Sequence, residues 1–376
     1  MAPSKLVPVP RRPRQDALWG IVMALCLAAC SPMPPDVDTA AYVPLTLAPA
    51  SLTGVRDARG AFRQLFCHED GVPPLTDACD AVLRRFRGEA PAAGVPVIHT
   101  ELRSRYRIAL VLGMGWDCMR GLIDESQLPT TRLAEYGLDT LLIEVEGLSD
   151  SARNADIIAH ALRTETSGDD QRPFILIGYS KGAPDILVAL QEYPELRSST
   201  AAFVSVAGAV GGSPMAEHTS GPTLAALRHS PFGDCASSEG NVLDSLHPAR
   251  RHAWLADNLP LPFPSYSLIT APEPTRVSRA LRSSYKLLGA VHPINDGALL
   301  HWDQLLPGST LLGYANADHW AVTVPIAVHD IPLGEFLISN GFPRTRLWLS
   351  IADYVIGDLV TGDLQTPEAS KETAGP

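Results

Sequence analysis

Basic residues are the minority charge, with 30 Lys and Arg against 41 Asp and Glu over 376 residues and a formal net charge of −11. A chain of this sign repels a phosphate backbone, which makes nucleic acid a poor partner. Charge is also too scarce, at 19%, and apolar residues too plentiful, at 45%, for a disordered chain. The 29 glycines and 33 prolines show no fibrous period and mark loops instead. Six cysteines are too few for a disulfide-stapled mini-protein of this length. No internal repeat is visible. The apolar run Ala17–Ala29 has about half the roughly 20 residues that a helix needs to cross a bilayer.

What is present begins with a leader. Lys5, Arg11, Arg12 and Arg14 precede Ala17–Ala29, the pattern of a secretory signal. The run closes on Leu27-Ala28-Ala29-Cys30, which resembles the lipobox of bacterial lipoproteins. That resemblance implies a signal peptide over residues 1–29 and a diacylglycerol-bearing Cys30 as the first mature residue. The plainer alternative is an ordinary signal with an incidental cysteine. Ser31 stands where an Asp often retains such proteins in the inner membrane, so the expected address is the cell envelope, on an outer membrane facing the periplasm or the surface. Without the leader the net charge becomes −14 and 347 residues remain, a length suited to one large α/β domain with an insertion. Residues 30–55 are rich in proline and read as a tether. Cys67, Cys79, Cys118 and Cys235 would then meet an oxidising compartment. Three pairings are open; short separation favours Cys67 with Cys79, leaving Cys118 with Cys235.

From Arg107 short apolar runs alternate with helix-like stretches, the rhythm of a parallel sheet covered on both faces. The expected strands are 108–112, 140–145, 174–177, 202–206, 266–270 and 310–314, and residues 152–163 and 183–192 have helical spacing. A segment of about 50 residues, 211–261, exceeds any ordinary connection and reads as an insertion. The domain is placed at 56–360, with a polar, disordered tail at 361–376.

The chemistry concentrates at Gly178-Tyr179-Ser180-Lys181-Gly182, between an apolar strand and a helical stretch. A serine on a sharp strand-to-helix turn needs glycines two residues to each side, because side chains there would clash. In this setting the chain resembles the α/β-hydrolase superfamily, and within it the bacterial lipases and esterases, over about residues 105–330. The resemblance implies a mainly parallel sheet with helices on both faces, a lid-like insertion, Ser180 as nucleophile and the Lys181 amide as an oxyanion donor. The Lys181 side chain is expected to pair with Asp185, four residues on.

A serine hydroxyl needs a neutral imidazole as base and a carboxylate to orient it, in the order Ser, acid, His here. Asn295-Asp296-Gly297 resembles the acid loop of bacterial lipases and nominates Asp296; it is also a good turn former. His319, beyond the last strand, is the expected base, whereas His68, His218, His229 and His252 fall in polar stretches and read as surface residues. A metal site on His292, Asp296, His301 and His319 matches no compact zinc motif and leaves the serine turn unexplained. Gly113-Met114-Gly115 after the first strand lacks the third glycine of a dinucleotide fingerprint, since Cys118 stands there. As an oxyanion loop it nominates the Met114 amide, with Trp116 as the alternative.

The reading is a lipid-anchored serine hydrolase that cleaves small-molecule or lipid carboxylic esters without metal or cofactor. Phe232, Leu243, Trp254 and Leu255 are expected in the lid, and Trp116 and Trp320 beside the site, which favours an apolar acyl group. The alternatives are an acyltransferase or thioesterase with the same three residues, and a binding lipoprotein that kept the fold without turnover.

Overall fold

The computed structural model describes residues 54–365 apart from 70, 90, 93–94, 97–99, 220, 230–231, 234, 236–240, 332 and 340. The leader, Cys30 and nearly all of the tether therefore lie outside the described residues. Seven parallel strands form one sheet in the order β1-β7-β6-β5-β4-β2-β3. They are β1 Arg56–Asp57, β2 Arg107–Val111, β3 Asp139–Ile143, β4 Phe174–Tyr179, β5 Thr200–Val206, β6 Ser265–Thr270 and β7 Thr310–Ala315. Six match the expected runs to within two residues at either end. The seventh, β1, is an unforeseen two-residue edge strand that pairs with the start of β7.

The longer helices are α1 Arg59–His68, α2 Pro129–Ala134, α3 Ser151–Thr166, α4 Gly182–Glu192, α5 Gly221–Arg228, α6 Pro248–Asn258, α7 Arg282–Gly289 and α8 Arg344–Gln365. Side chains alternate across each strand, so a strand buried on both faces serves two cores. Ile108, Leu110, Ile175 and Ile177 join Phe62 of α1, Leu133 of α2 and Trp348 of α8. Ala109, Val111, Phe174 and Leu176 join Ile158 of α3, Ile186 of α4 and Leu255 of α6 on the other face.

The insertion between β5 and β6 carries α5 and α6, and its described residues divide between two places. Phe232 reaches the cavity described below, but Trp254 and Leu255 pack with the α3/α4 core. Both lie against that core, where burial of apolar surface stabilises them. α8 continues through 361–365, so the first five residues of the expected tail are helical; residues 366–376 lie outside the described residues. The cysteines pair as Cys67–Cys79 and Cys118–Cys235, with Cα atoms 5.7 and 4.2 Å apart.

Candidate active site

The carboxyl end of the sheet gathers the candidate residues. Ser180 directly follows β4 and leads into α4, with φ = +54°, a left-handed conformation that a non-glycine residue adopts only under constraint. The flanking glycines allow it. A Cβ on Gly178 would lie 2.4 Å from the Ala183 Cα, and one on Gly182 would lie 2.2 Å from the Val111 carbonyl oxygen.

Asp296 arrives from the excursion between β6 and β7, and His319 from the loop after β7. His319 Nε2 is 2.8 Å from Ser180 Oγ, and His319 Nδ1 is 2.8 Å from Asp296 Oδ2. With Nδ1–H donating to the carboxylate, Nε2 accepts from the hydroxyl. Ser180 is partly exposed, whereas Asp296 and His319 are buried.

The carboxylate is well supplied with donors. Asp296 Oδ1 accepts the amides of Ala298 and Leu299 at 2.9 and 2.7 Å, and Oδ2 accepts the Thr270 hydroxyl at 2.6 Å and Gln304 Nε2 at 3.3 Å. These four bonds hold the carboxylate in one orientation. The His319 amide donates to the Asp296 carbonyl at 3.0 Å, and the Tyr179 hydroxyl donates to the His319 carbonyl at 2.7 Å, which fixes the histidine loop from both sides. Thr270, Gln304 and Tyr179 were not expected from the sequence. Thr270 ends a strand and Gln304 lies in a short turn, positions that advertise packing and no chemistry.

Asp318 is also buried and takes the amides of Ser278, Trp320 and Ala321 at 2.6, 3.1 and 2.9 Å. Burial, more than its bonds, holds its carboxyl above the usual range. It braces the loop that carries His319 and does not touch the imidazole pair.

The metal grouping considered from the sequence is divided. Asp296 and His319 turn to Ser180, while His292 and His301 pack as neighbouring rings, 4.8 Å between centroids, against Trp302. Burial pushes His301 down to about 4. Among the described residues one group, Asp117, Cys118 and Cys235, has the spacing of a metal cluster, and both of its thiols are spent in a disulfide. His68, His218, His229 and His252 are exposed, as expected.

The Gly113–Trp116 loop runs beside the serine, so close that a Cβ on Gly113 would lie 2.6 Å from the Ser180 Cβ. The Gly115 amide is spent on the Gly147 carbonyl at 3.0 Å. Among the described backbone bonds the amides of Lys181, Met114 and Trp116 donate to none. The Met114 side chain is exposed.

Ser180 and His319 open onto a cavity of about 320 Å³ whose walls are almost wholly apolar. Trp116, Met119, Leu128, Trp320 and Ile338 line it, with Leu227 and Phe232 from the insertion. Leu243, expected there, does not line it. The Lys181 side chain pairs with Asp185 as expected, but in the interior and not on an exposed helix face.

A sharp serine turn, an acid after β6 and a histidine after β7, on a parallel sheet in this strand order, define a class of protein. The chain belongs to the α/β-hydrolase superfamily. It is similar to a metagenomic carboxyl esterase, MGS0156, at 35% identity over 90% of this chain and 99% of that one, with a TM-score of 0.73. A looser likeness, to the mature form of the Bacillus licheniformis lipase BlEst2, has 19% identity over 62% of this chain and 92% of that one, with a TM-score of 0.46. No protein-family model matches the chain. No curated protein matches it either.

Proposed function

We propose that the protein is a serine hydrolase that cleaves carboxylic esters through an acyl-enzyme, with Ser180 as nucleophile, His319 as base and then acid, and Asp296 as the orienting carboxylate. The observation that carries this reading is the pair of 2.8 Å contacts from His319 to Ser180 and to Asp296, at the mouth of an apolar cavity. The similarity to a carboxyl esterase supports the choice of ester.

His319 Nε2 takes the hydroxyl proton as Ser180 Oγ attacks the ester carbonyl, and Asp296 stabilises the imidazolium that forms. The amides of Lys181 and Met114 are the proposed donors to the tetrahedral oxyanion. Trp116 is the alternative to Met114, since its amide also donates to no described backbone bond. His319 returns the proton to the leaving alkoxide. Water, deprotonated in turn by His319, then releases the acid. The apolar walls suit an uncharged acyl or alcohol group and shield the reacting carbonyl.

A fluorophosphonate probe should label the chain once, and p-nitrophenyl esters should turn over. Labelling without turnover would sink hydrolysis in favour of transfer to another acceptor. We also propose that Cys30 carries lipid and holds the enzyme at the envelope; the support is the Leu27–Cys30 sequence alone.

A further inference from the structure

Beneath the serine turn lies a buried polar group that the proposed chemistry does not use. Lys181 Nζ sits 2.8 Å from each carboxylate oxygen of Asp185, and each side chain is 1% exposed. Asp185 Oδ1 also accepts the Ser151 hydroxyl at 2.5 Å, and Oδ2 accepts Asn154 Nδ2 at 2.7 Å. Asn154 is fully buried on α3 and grips the backbone after β3 twice. Its Nδ2 donates to the Glu146 carbonyl and its Oδ1 accepts the Glu146 amide, both at 3.1 Å. The next residue, Gly147, accepts the Gly115 amide at 3.0 Å and donates to Asp117 Oδ1 at 3.2 Å.

This path starts at Lys181, whose amide is one proposed oxyanion donor, and ends at Gly115, beside Met114, whose amide is the other. The two donors sit on loops that follow β4 and β2. Sheet pairing sets the spacing of those strands, but the ladder stops at Gly178 opposite Val111. Beyond it some other device must fix the gap between the donors, because an oxyanion site loses its effect when a donor moves by a fraction of an ångström. Burying an ammonium and a carboxylate carries a desolvation cost that their pairing must offset. A bare structural role would be met more cheaply by apolar side chains.

We propose that Asn154, together with the Lys181–Asp185 pair, is a positioning element that sets the separation of the two oxyanion-donating amides. The inference rests on the serine-hydrolase reading above. The mechanism of loss is specific: cutting the link lets the Gly113–Asp117 loop drift from Lys181 while Ser180, His319 and Asp296 keep their own bonds. The ground-state ester, held by the apolar cavity, feels this little; the tetrahedral intermediate feels it fully.

The test compares wild type with Asn154→Ala and with the double variant Lys181→Met, Asp185→Leu. The double variant cuts the path by the exchange that buried ion pairs tolerate best, so it decides the matter where Asn154→Ala does not fold. Active sites are counted by fluorophosphonate titration. We expect kcat to fall about 10- to 100-fold, part of the loss seen when a whole donor is removed, with KM within about threefold. A boronic acid, whose serine adduct places an oxygen between the donors, should lose affinity by a similar factor. An unreactive amide analogue of the ester should bind as before. A folded variant with kcat and boronate affinity both near wild type overturns the proposal, even where its melting temperature has dropped, since that is the signature of a merely structural role. Ser180→Ala, assayed alongside, separates the two readings: turnover surviving in it would bring down the hydrolase assignment itself.

Discussion

At the scale of single residues, the serine is the most exposed to test. Ser180→Ala removes one oxygen at a turn whose backbone is held by its glycines, so the fold should survive while probe labelling and ester turnover vanish; substantial residual turnover would end the assignment. Asp296→Asn and His319→Ala should each lower kcat by about 10⁴, and the double variant should be hardly worse, because such residues act as a unit. Steady-state kinetics on a p-nitrophenyl ester decides both. Asp318→Asn should behave differently. It weakens the brace on three amides inside the protein, so it should cost about 1–3 kcal/mol in urea unfolding and leave the folded enzyme within about tenfold of wild-type kcat. A loss as deep as that of Asp296→Asn would move the acid role. The positions Ser180, Asp296 and His319 were legible because each lies in a local pattern of glycine, turn and strand end. The burial of Asp318 was not, since its partner Ser278 is 40 residues away in sequence.

At the scale of elements, strands and helices declared themselves where the apolar pattern was long, and failed to where it was short. β1 has two residues and no period to detect; it exists because Arg56 and Asp57 find the open edge of β7. The insertion was visible from its length, but which of its aromatics would meet the cavity depended on the packing of α6, which no local pattern contains. A covalent tie helps to explain how the insertion holds the cavity wall. Cys118–Cys235 joins the segment around Phe232 to the stretch just beyond Trp116, across 117 residues, and the Gly121 amide donates to the Phe232 carbonyl at 2.5 Å beside it. Loop-closure entropy grows with the length enclosed, so this disulfide should stabilise more than Cys67–Cys79, which spans 12. Replacing both cysteines of the long link by serine should cost about 2–5 kcal/mol in denaturant unfolding and raise KM for apolar esters. Equal losses for the two disulfides would show that chain entropy is not what governs them.

At the scale of the whole molecule, buried acids tie stability to pH, Glu69 and Asp303 most clearly, and the polarity of the sheet ties the site to the tether. Burial pushes Glu69, from 4.5, and Asp303, from 3.8, both up to about 7. Between their ordinary values and about 7 the native state keeps protons that the unfolded chain releases, so these two groups make stability fall as pH climbs through that window and add no further slope above it. Glu69→Gln with Asp303→Asn should therefore narrow the gap in melting temperature between pH 5 and pH 8; an unchanged gap would discount both groups. All seven strands are parallel, Ser180 and His319 follow the carboxyl ends of β4 and β7, and β1 pairs in register with the first residues of β7. The chain thus enters the domain at the opposite end of the sheet from the proposed active site. If Cys30 carries lipid, the proline-rich part of the tether, residues 31–52, spans about 22 residues at roughly 3.1 Å each and reaches about 70 Å, and the cavity faces away from the tether's root. Neither lipid nor tether then has a part in the chemistry. Wild type expressed in a Gram-negative host should partition with membranes and incorporate labelled palmitate, Cys30→Ser should not, and a chain beginning at Ser51 should turn over a soluble p-nitrophenyl ester at the full rate. Recovery of unlabelled wild type from the soluble periplasm would remove the anchor, whereas a slow truncated enzyme would mean that residues before Gly54 reach the site after all.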